Sequence, residues 1–167
     1  MDSKAKILGH SIHQILIVFP LGLLGTSAAF EIAYLATRDQ NMATMTLWLM
    51  VAGVISGAVA APFGWIDCFA ILWRTRAKSV GLTHGLLNAA VLTLFAANIW
   101  LRWRESHIPS SLAFALTFIG VGLAVMGGWL GGELVSRLGV VVHGGAHLNV
   151  PNSLSGRLAS EIVDHSV

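Results

Sequence analysis

Charge is what this chain has least of. Only 11% of its 167 residues are Asp, Glu, Lys or Arg, against about 25% in a soluble domain. So small a supply does not coat a globule of this length, which excludes an ordinary cytosolic domain. Disorder is excluded too, because it requires low hydrophobicity and high net charge. Here 55% of the residues are hydrophobic and mean hydropathy is +0.74. An excess of one sign is also missing. Ten basic and eight acidic residues leave +2, and the basic ones are scattered, so there is no electrostatic footprint for nucleic acid. Cysteine is reduced to Cys68, which excludes an internal disulfide and any paired-cysteine zinc or redox motif. The class these absences leave is an integral membrane protein.

Long apolar runs are what the chain does have. A membrane helix needs about 20 apolar residues to cross a core about 30 Å thick. Four stretches qualify: Ile7–Ala36, Met42–Trp73, Leu82–Trp103 and Ser110–Leu138. The first, second and fourth exceed the minimum and must tilt, kink or project. Pro20 and Pro62 are the expected kink points, since each removes an N–H from a helix. The breaks at Thr37–Asn41, Arg74–Ser79 and Arg104–Pro109 are short, which makes neighbouring helices antiparallel. The expected fold is therefore all-α: an integral membrane, up-down four-helix bundle in one domain, 1–167, with a short C-terminal tail over 139–167. Lys4 and Lys6 before an apolar run, with Ala28 and Ala29 behind it, also suit a cleaved signal. The run continues through Phe30, Ile32 and Tyr34 and starts with two histidines, so an uncleaved helix is expected. Four crossings put Lys4, Lys6, Arg74, Arg76, Lys78, Arg137 and Arg157 on one side, and Arg38, Arg102 and Arg104 on the other. The positive-inside rule then makes both termini cytoplasmic, in a bacterial inner membrane.

The ionisable residues fall into a pattern once helix direction is considered. His10 and His13 lie at the start of the first span and Asp67 near the end of the second. His84 lies at the start of the third and Glu133 near the end of the fourth, with His143 and His147 just beyond. All these belong to the cytoplasmic end; Glu31 and His107 belong to the other. Ionisable residues in membrane helices usually face the bundle interior and mark a site. The expectation is one polar layer of His10, His13, Asp67, His84 and Glu133. A plainer reading stands beside it. Residues near helix ends reach the headgroups by snorkelling, Asp67 and Glu133 pair with Arg74 and Arg137, and the tail histidines face solvent.

Glycines form the second pattern. Gly53 and Gly57 make a GxxxG in the second span, continued by Ala61 and Gly64; Gly127, Gly128, Gly131 and Gly132 double the motif in the fourth. Small residues let membrane helices approach closely, and they also leave room for a flat macrocycle. The tryptophans fall mostly near span ends, as an interfacial belt does.

The segment Gly9-His-Ser-Ile-His-Gln-Ile-Leu-Ile-Val-Phe-Pro-Leu-Gly22 resembles the opening of a bacterial membrane family, domain of unknown function 2231. That family favours a Gly-His-Pro-x-His-Pro start and a later Phe-Pro-x-Gly. The resemblance continues through Gly64-Trp-Ile-Asp67, Gly81-Leu-Thr-His-Gly-Leu-Leu-Asn88 and Gly128-Trp-Leu-Gly-Gly-Glu-Leu-Val135, and covers residues 9–142. Ser11 and Gln14 depart from it where the family often has proline, which leaves the histidines in place. The resemblance implies a four-helix membrane domain. Some relatives are joined to Rieske or cytochrome c domains, which associates the family with membrane redox chemistry.

Three functions fit these residues. The first is a b-type cytochrome with one haem b at the cytoplasmic side, ligated by His13 and His84 from opposite faces. His10 would meet a propionate or hydrogen-bond a ligand, Arg74, Arg76 and Lys78 would neutralise propionates, and electrons would pass to or from quinone or a partner redox enzyme. The second is a Zn, Fe or Cu site drawing on His13 and His84 with His10, Asp67 and Glu133. The carboxylates favour it, while the missing ExxH pairs of helical di-metal sites do not. The third is a structural or anchoring subunit, alone or within an oligomer. No nucleophilic triad, phosphate loop or nucleotide fingerprint competes, so an electron-transfer or accessory subunit is favoured over an independent enzyme.

Overall fold

The structure is a computed structural model, and it describes residues 1–104 and 109–157; His107 lies outside the described residues. A small antiparallel hairpin, β1 (Lys6–Ile7) and β2 (His10–Ser11), precedes α1 (Ile12–Leu16) and α2 (Val18–Thr37). Then follow α3 (Gln40–Ala70), α4 (Arg76–Arg104) and α5 (Ser111–Ser136). Four helical spans, Ile12–Thr37, Gln40–Ala70, Arg76–Arg104 and Ser111–Ser136, are long and apolar enough to cross a membrane, with mean hydropathy from 1.6 to 1.9. A helix suits lipid because its backbone groups bond within the segment. α2 packs along α3, α3 along α4 and α4 along α5, and α5 returns more lightly against α2. The expected bundle is a closed ring of four with one loose seam.

Local chemistry moves three boundaries from where hydropathy puts them. The first span starts at Ile12 rather than Ile7, because Leu8 and Gly9 take positive φ (50° and 85°) and turn the hairpin. α3 stops at Ala70, since the Lys78 ammonium crosses over to donate to the Cys68 carbonyl at 2.8 Å. A cation at a helix C-terminus is favourable there, and Lys78 is accordingly buried, against the Trp73 ring at 4.3 Å. α4 begins at Arg76 rather than Leu82 because Thr75 caps it, its hydroxyl accepting from the Lys78 N–H at 3.1 Å. Pro20 breaks the first span at Ile17, as expected of a residue that crowds the carbonyl four places back. Pro62 does not interrupt α3, which runs on to Ala70.

The core joins Leu24, Met50, Val91 and Phe95, with Val121 and Ala124 against them. The GxxxG of α3 serves packing: a Cβ on Gly53 or Gly57 would lie 2.5 Å from Leu24 or Leu92.

At the end away from the hairpin sits an ion pair that the sequence reading did not foresee. Glu31 of α2 accepts from Arg102 of α4 at 2.7 Å, with exposures of only 1% and 0%. Asn98 accepts from the Arg102 Nε at 2.9 Å and donates to the Thr117 hydroxyl of α5 at 2.8 Å. Arg102 Nη1 has no hydrogen-bond partner among the described residues. Arg102 is therefore not a loop cation, as the basic-residue tally assumes, but a buried strut across three helices. Lys78 leaves that tally for the same reason. The exposed residues that remain are Lys4, Lys6, Arg74, Arg76, Arg137 and Arg157 at one end, and Arg38 and Arg104 at the other. The asymmetry grows sharper.

Candidate functional site

His13 sits in the first turn of α1, which the hairpin aims at α3 through a bond from the Ile12 N–H to the Ala5 carbonyl at 2.9 Å. Its ring crosses to α3, where Nδ1 lies 3.1 Å from the Ala60 carbonyl. The neighbouring Gly64 makes this possible: a Cβ there would stand 2.8 Å from the ring's Cε1. His84 of α4 repeats the arrangement on the other side. Its Nδ1 lies 2.9 Å from the Gly127 carbonyl of α5, and a Cβ on Gly131 would stand 3.2 Å from its Cε1. The two ring centres are 6.4 Å apart with planes at 88°.

A carbonyl oxygen only accepts, so each Nδ1 carries a proton, and in the neutral ring it is Nε2 that has the lone pair. Asn88 adds a contact at His84. Its amide nitrogen donates to the His84 carbonyl at 2.8 Å and lies 3.3 Å from both ring nitrogens, a position over the ring rather than along either lone pair. Nε2 of His13 has no hydrogen-bond partner among the described residues.

Both rings border a cavity of about 650 Å³ between the helices, whose wall includes Trp65, Cys68, Leu92, Ala124 and Gly128. That volume is within the usual range for small-molecule sites, and the lining is mostly apolar with a few convergent polar groups. Trp65, stacked on Phe69 at 5.6 Å, departs from the interfacial role expected of it and stands in this wall.

The remaining members of the expected polar layer go elsewhere. Asp67 turns to the N-terminal segment, where it accepts from the Ser3 hydroxyl at 2.7 Å, the Lys4 N–H at 2.6 Å and the Ser11 hydroxyl at 3.4 Å. Glu133 pairs with Arg76 at 2.6 Å, not with Arg137. His10 is exposed and bonded to its own Leu8 carbonyl at 3.1 Å, and it borders a separate polar cavity with Lys6, His143 and Asn152. His147 is exposed, and so is Arg74, in a turn with φ 62°. The expectation of one five-residue layer is thus corrected to a pair of histidines. The physical reason is that each carboxylate finds cheaper partners near water than beside an imidazole in lipid. No three His, Cys, Asp or Glu side chains are grouped to hold one ion among the described residues.

Sequence reasoning missed what seats the histidines. The Ala60 and Gly127 carbonyls carry no side-chain signal at all. Gly64 and Gly131 carried one, at i, i+3 spacing from Asp67 and within the doubled GxxxG, but read as helix packing.

A closed ring of four apolar helices around a paired-histidine cavity defines a polytopic membrane protein with an internal site. The chain belongs to the family described as "predicted membrane protein (DUF2231)", whose model matches residues 9–144. No curated protein and no solved structure matches it.

Proposed function

We propose that the chain is a membrane b-type cytochrome, with one haem b held between His13 and His84 and electrons exchanged with quinone or a partner redox protein. One observation carries the reading: two imidazoles from non-adjacent helices, each with Nδ1 on a backbone carbonyl, bordering one apolar cavity. Metal-ligating histidines characteristically donate their other nitrogen in this way. Their ring centres stand 6.4 Å apart with planes at 88°, near enough that both rings would hold one group between them. When bound, haem iron supplies one-electron transfer. The chain's own part is to hold the rings in one tautomer and exclude water with the apolar wall. Arg76 is engaged by Glu133, and Arg74, exposed and without a hydrogen-bond partner among the described residues, is the cation for a propionate in this reading. The exposed basic residues favour cytoplasmic termini in a bacterial inner membrane.

The test is the absorption spectrum of detergent-purified protein, oxidised and then dithionite-reduced. Sharp reduced haem bands are expected, lost in His13→Ala and in His84→Ala. A colourless wild type, or either variant with an unchanged spectrum, overturns the assignment. A second reading has its own support: the same two bonds tie α1 to α3 and α4 to α5, as a purely structural pair would. A protein free of haem and of Zn, Fe and Cu, destabilised by either alanine, would establish it.

A further inference from the structure

The cavity is largely covered at the hairpin end and open along one side of the bundle. At the hairpin end its wall includes Ser11, Ile71, Leu134 and Val140, all buried at 5–8% exposure. Ser11 is covered by the N-terminal segment, which Asp67 clasps through Ser3 and Lys4. Ile71, Leu134 and Val140 pack on one another beneath the start of the tail.

The sides differ from the hairpin end. On α3 and α4 the cavity lining is buried or half-buried apart from Ala89. On the first span and α5 it includes Leu21 and Val125, which are 53% and 67% exposed, together with the exposed Gln14, Gly25, Gly128 and Gly132. A residue that lines a cavity and is also exposed stands at its mouth. This mouth coincides with the seam where α5 packs only lightly on α2. Gly128 lies within one helical turn of Gly131, which seats His84, so the opening is at the depth of the imidazoles. Nothing lies within 4 Å of a Cβ built on Gly25, Gly128 or Gly132.

We propose that the α2–α5 seam is the route by which the site is loaded: a flat, largely apolar tetrapyrrole dissolved in the bilayer slides between α2 and α5 to the two histidines, without passing through the water-facing end. The proposal rests on the haem reading above. The chemistry of the ligand agrees with the route, because a porphyrin with few charged groups partitions into lipid as other large apolar ring systems do. The glycines supply width along the path, and the clasped N-terminal segment covers Ser11 at the hairpin end.

The test uses apoprotein in phosphatidylcholine vesicles mixed with vesicles carrying haemin in their bilayer, with ligated-haem absorbance followed over time. Gly25→Leu with Gly128→Leu narrows the mouth at two positions where a Cβ meets nothing within 4 Å. Loading should slow by about tenfold or more, as when binding has to wait for a conformational opening, and release of bound haemin to an excess of empty vesicles should slow with it. Gly22→Leu, also lipid-facing with nothing within 4 Å but outside the cavity lining, should load at the wild-type rate. Equal rates for the narrowed seam and wild type overturn the proposal. So does release that quickens while loading slows, which would place the leucines in the ligand's own space. Faster loading in Asp67→Asn with none of the seam dependence would move the route to the water-facing end. If wild type takes up no haemin, or His13→Ala takes it up equally, the haem reading itself fails, and that outcome is separate from the others.

Discussion

Two glycines decide where the imidazoles lie, and they make unequal demands. A methyl on Gly64 would sit 2.8 Å from Cε1 of His13, inside any tolerable contact, whereas on Gly131 it would sit 3.2 Å from Cε1 of His84. Gly64→Ala should therefore push His13 off the Ala60 carbonyl and lower haem retention strongly. Gly131→Ala should shift the His84 ring by a few tenths of an ångström and alter the spectrum mildly. Reduced spectra of the two variants, normalised to protein, check the order. At the other end, Glu31 and Arg102 are buried together, so removing one strands the other. Glu31→Gln or Arg102→Met should each cost about 3–5 kcal/mol, and Glu31→Leu with Arg102→Met should recover much of it. Denaturant unfolding in detergent measures all of these, and a double variant as weak as the singles would refute the pairing argument.

Among the elements, the N-terminal hairpin is the one held by side chains rather than by hydrophobic area. Asp67 accepts from Ser11 of the hairpin and from Ser3 and Lys4 of the segment before it, and hydrogen bonds to charged groups are worth about 1.5–3 kcal/mol each. Asp67→Asn should leave the four spans intact yet raise proteolytic cleavage within the first eleven residues; cleavage unchanged from wild type would show that the clasp contributes nothing. The hairpin also has an acid-sensitive part. The hydrogen bond from Lys6 holds the Asp2 carboxyl below the usual carboxylate range. Its contribution is present above the ordinary carboxylate value of about 4 and is lost as pH falls through the lower, folded value. Because the Asp2 and Lys6 side chains are 40% and 31% exposed, the effect is small. Protection factors of the hairpin amides, taken relative to intrinsic exchange at each pH, should fall only slightly on acidification, and only below that range. α3 depends similarly on one cation: Lys78→Met should fray its last turn at a cost of about 1–2 kcal/mol.

For the molecule as a whole, an even number of crossings puts the two ends on one side of the membrane. Reporter fusions at both ends should agree with each other, and opposite readings would refute the four-span topology. The sequence determined this level by itself. Hydropathy adds up along a helix whatever its neighbours are, so the four spans, their short connections and the family were legible from composition and order. The residues that titrate were legible too, and their shared end of the bundle. What only the tertiary structure decided is which of them meet. Asp67 goes to Ser3 and Glu133 to Arg76, leaving His13 and His84 to face one cavity. Glu31 finds Arg102 from 71 positions away. No periodicity encodes such choices, because the deciding partners are backbone carbonyls and the missing side chains of glycines, which act only once helices are close enough to touch.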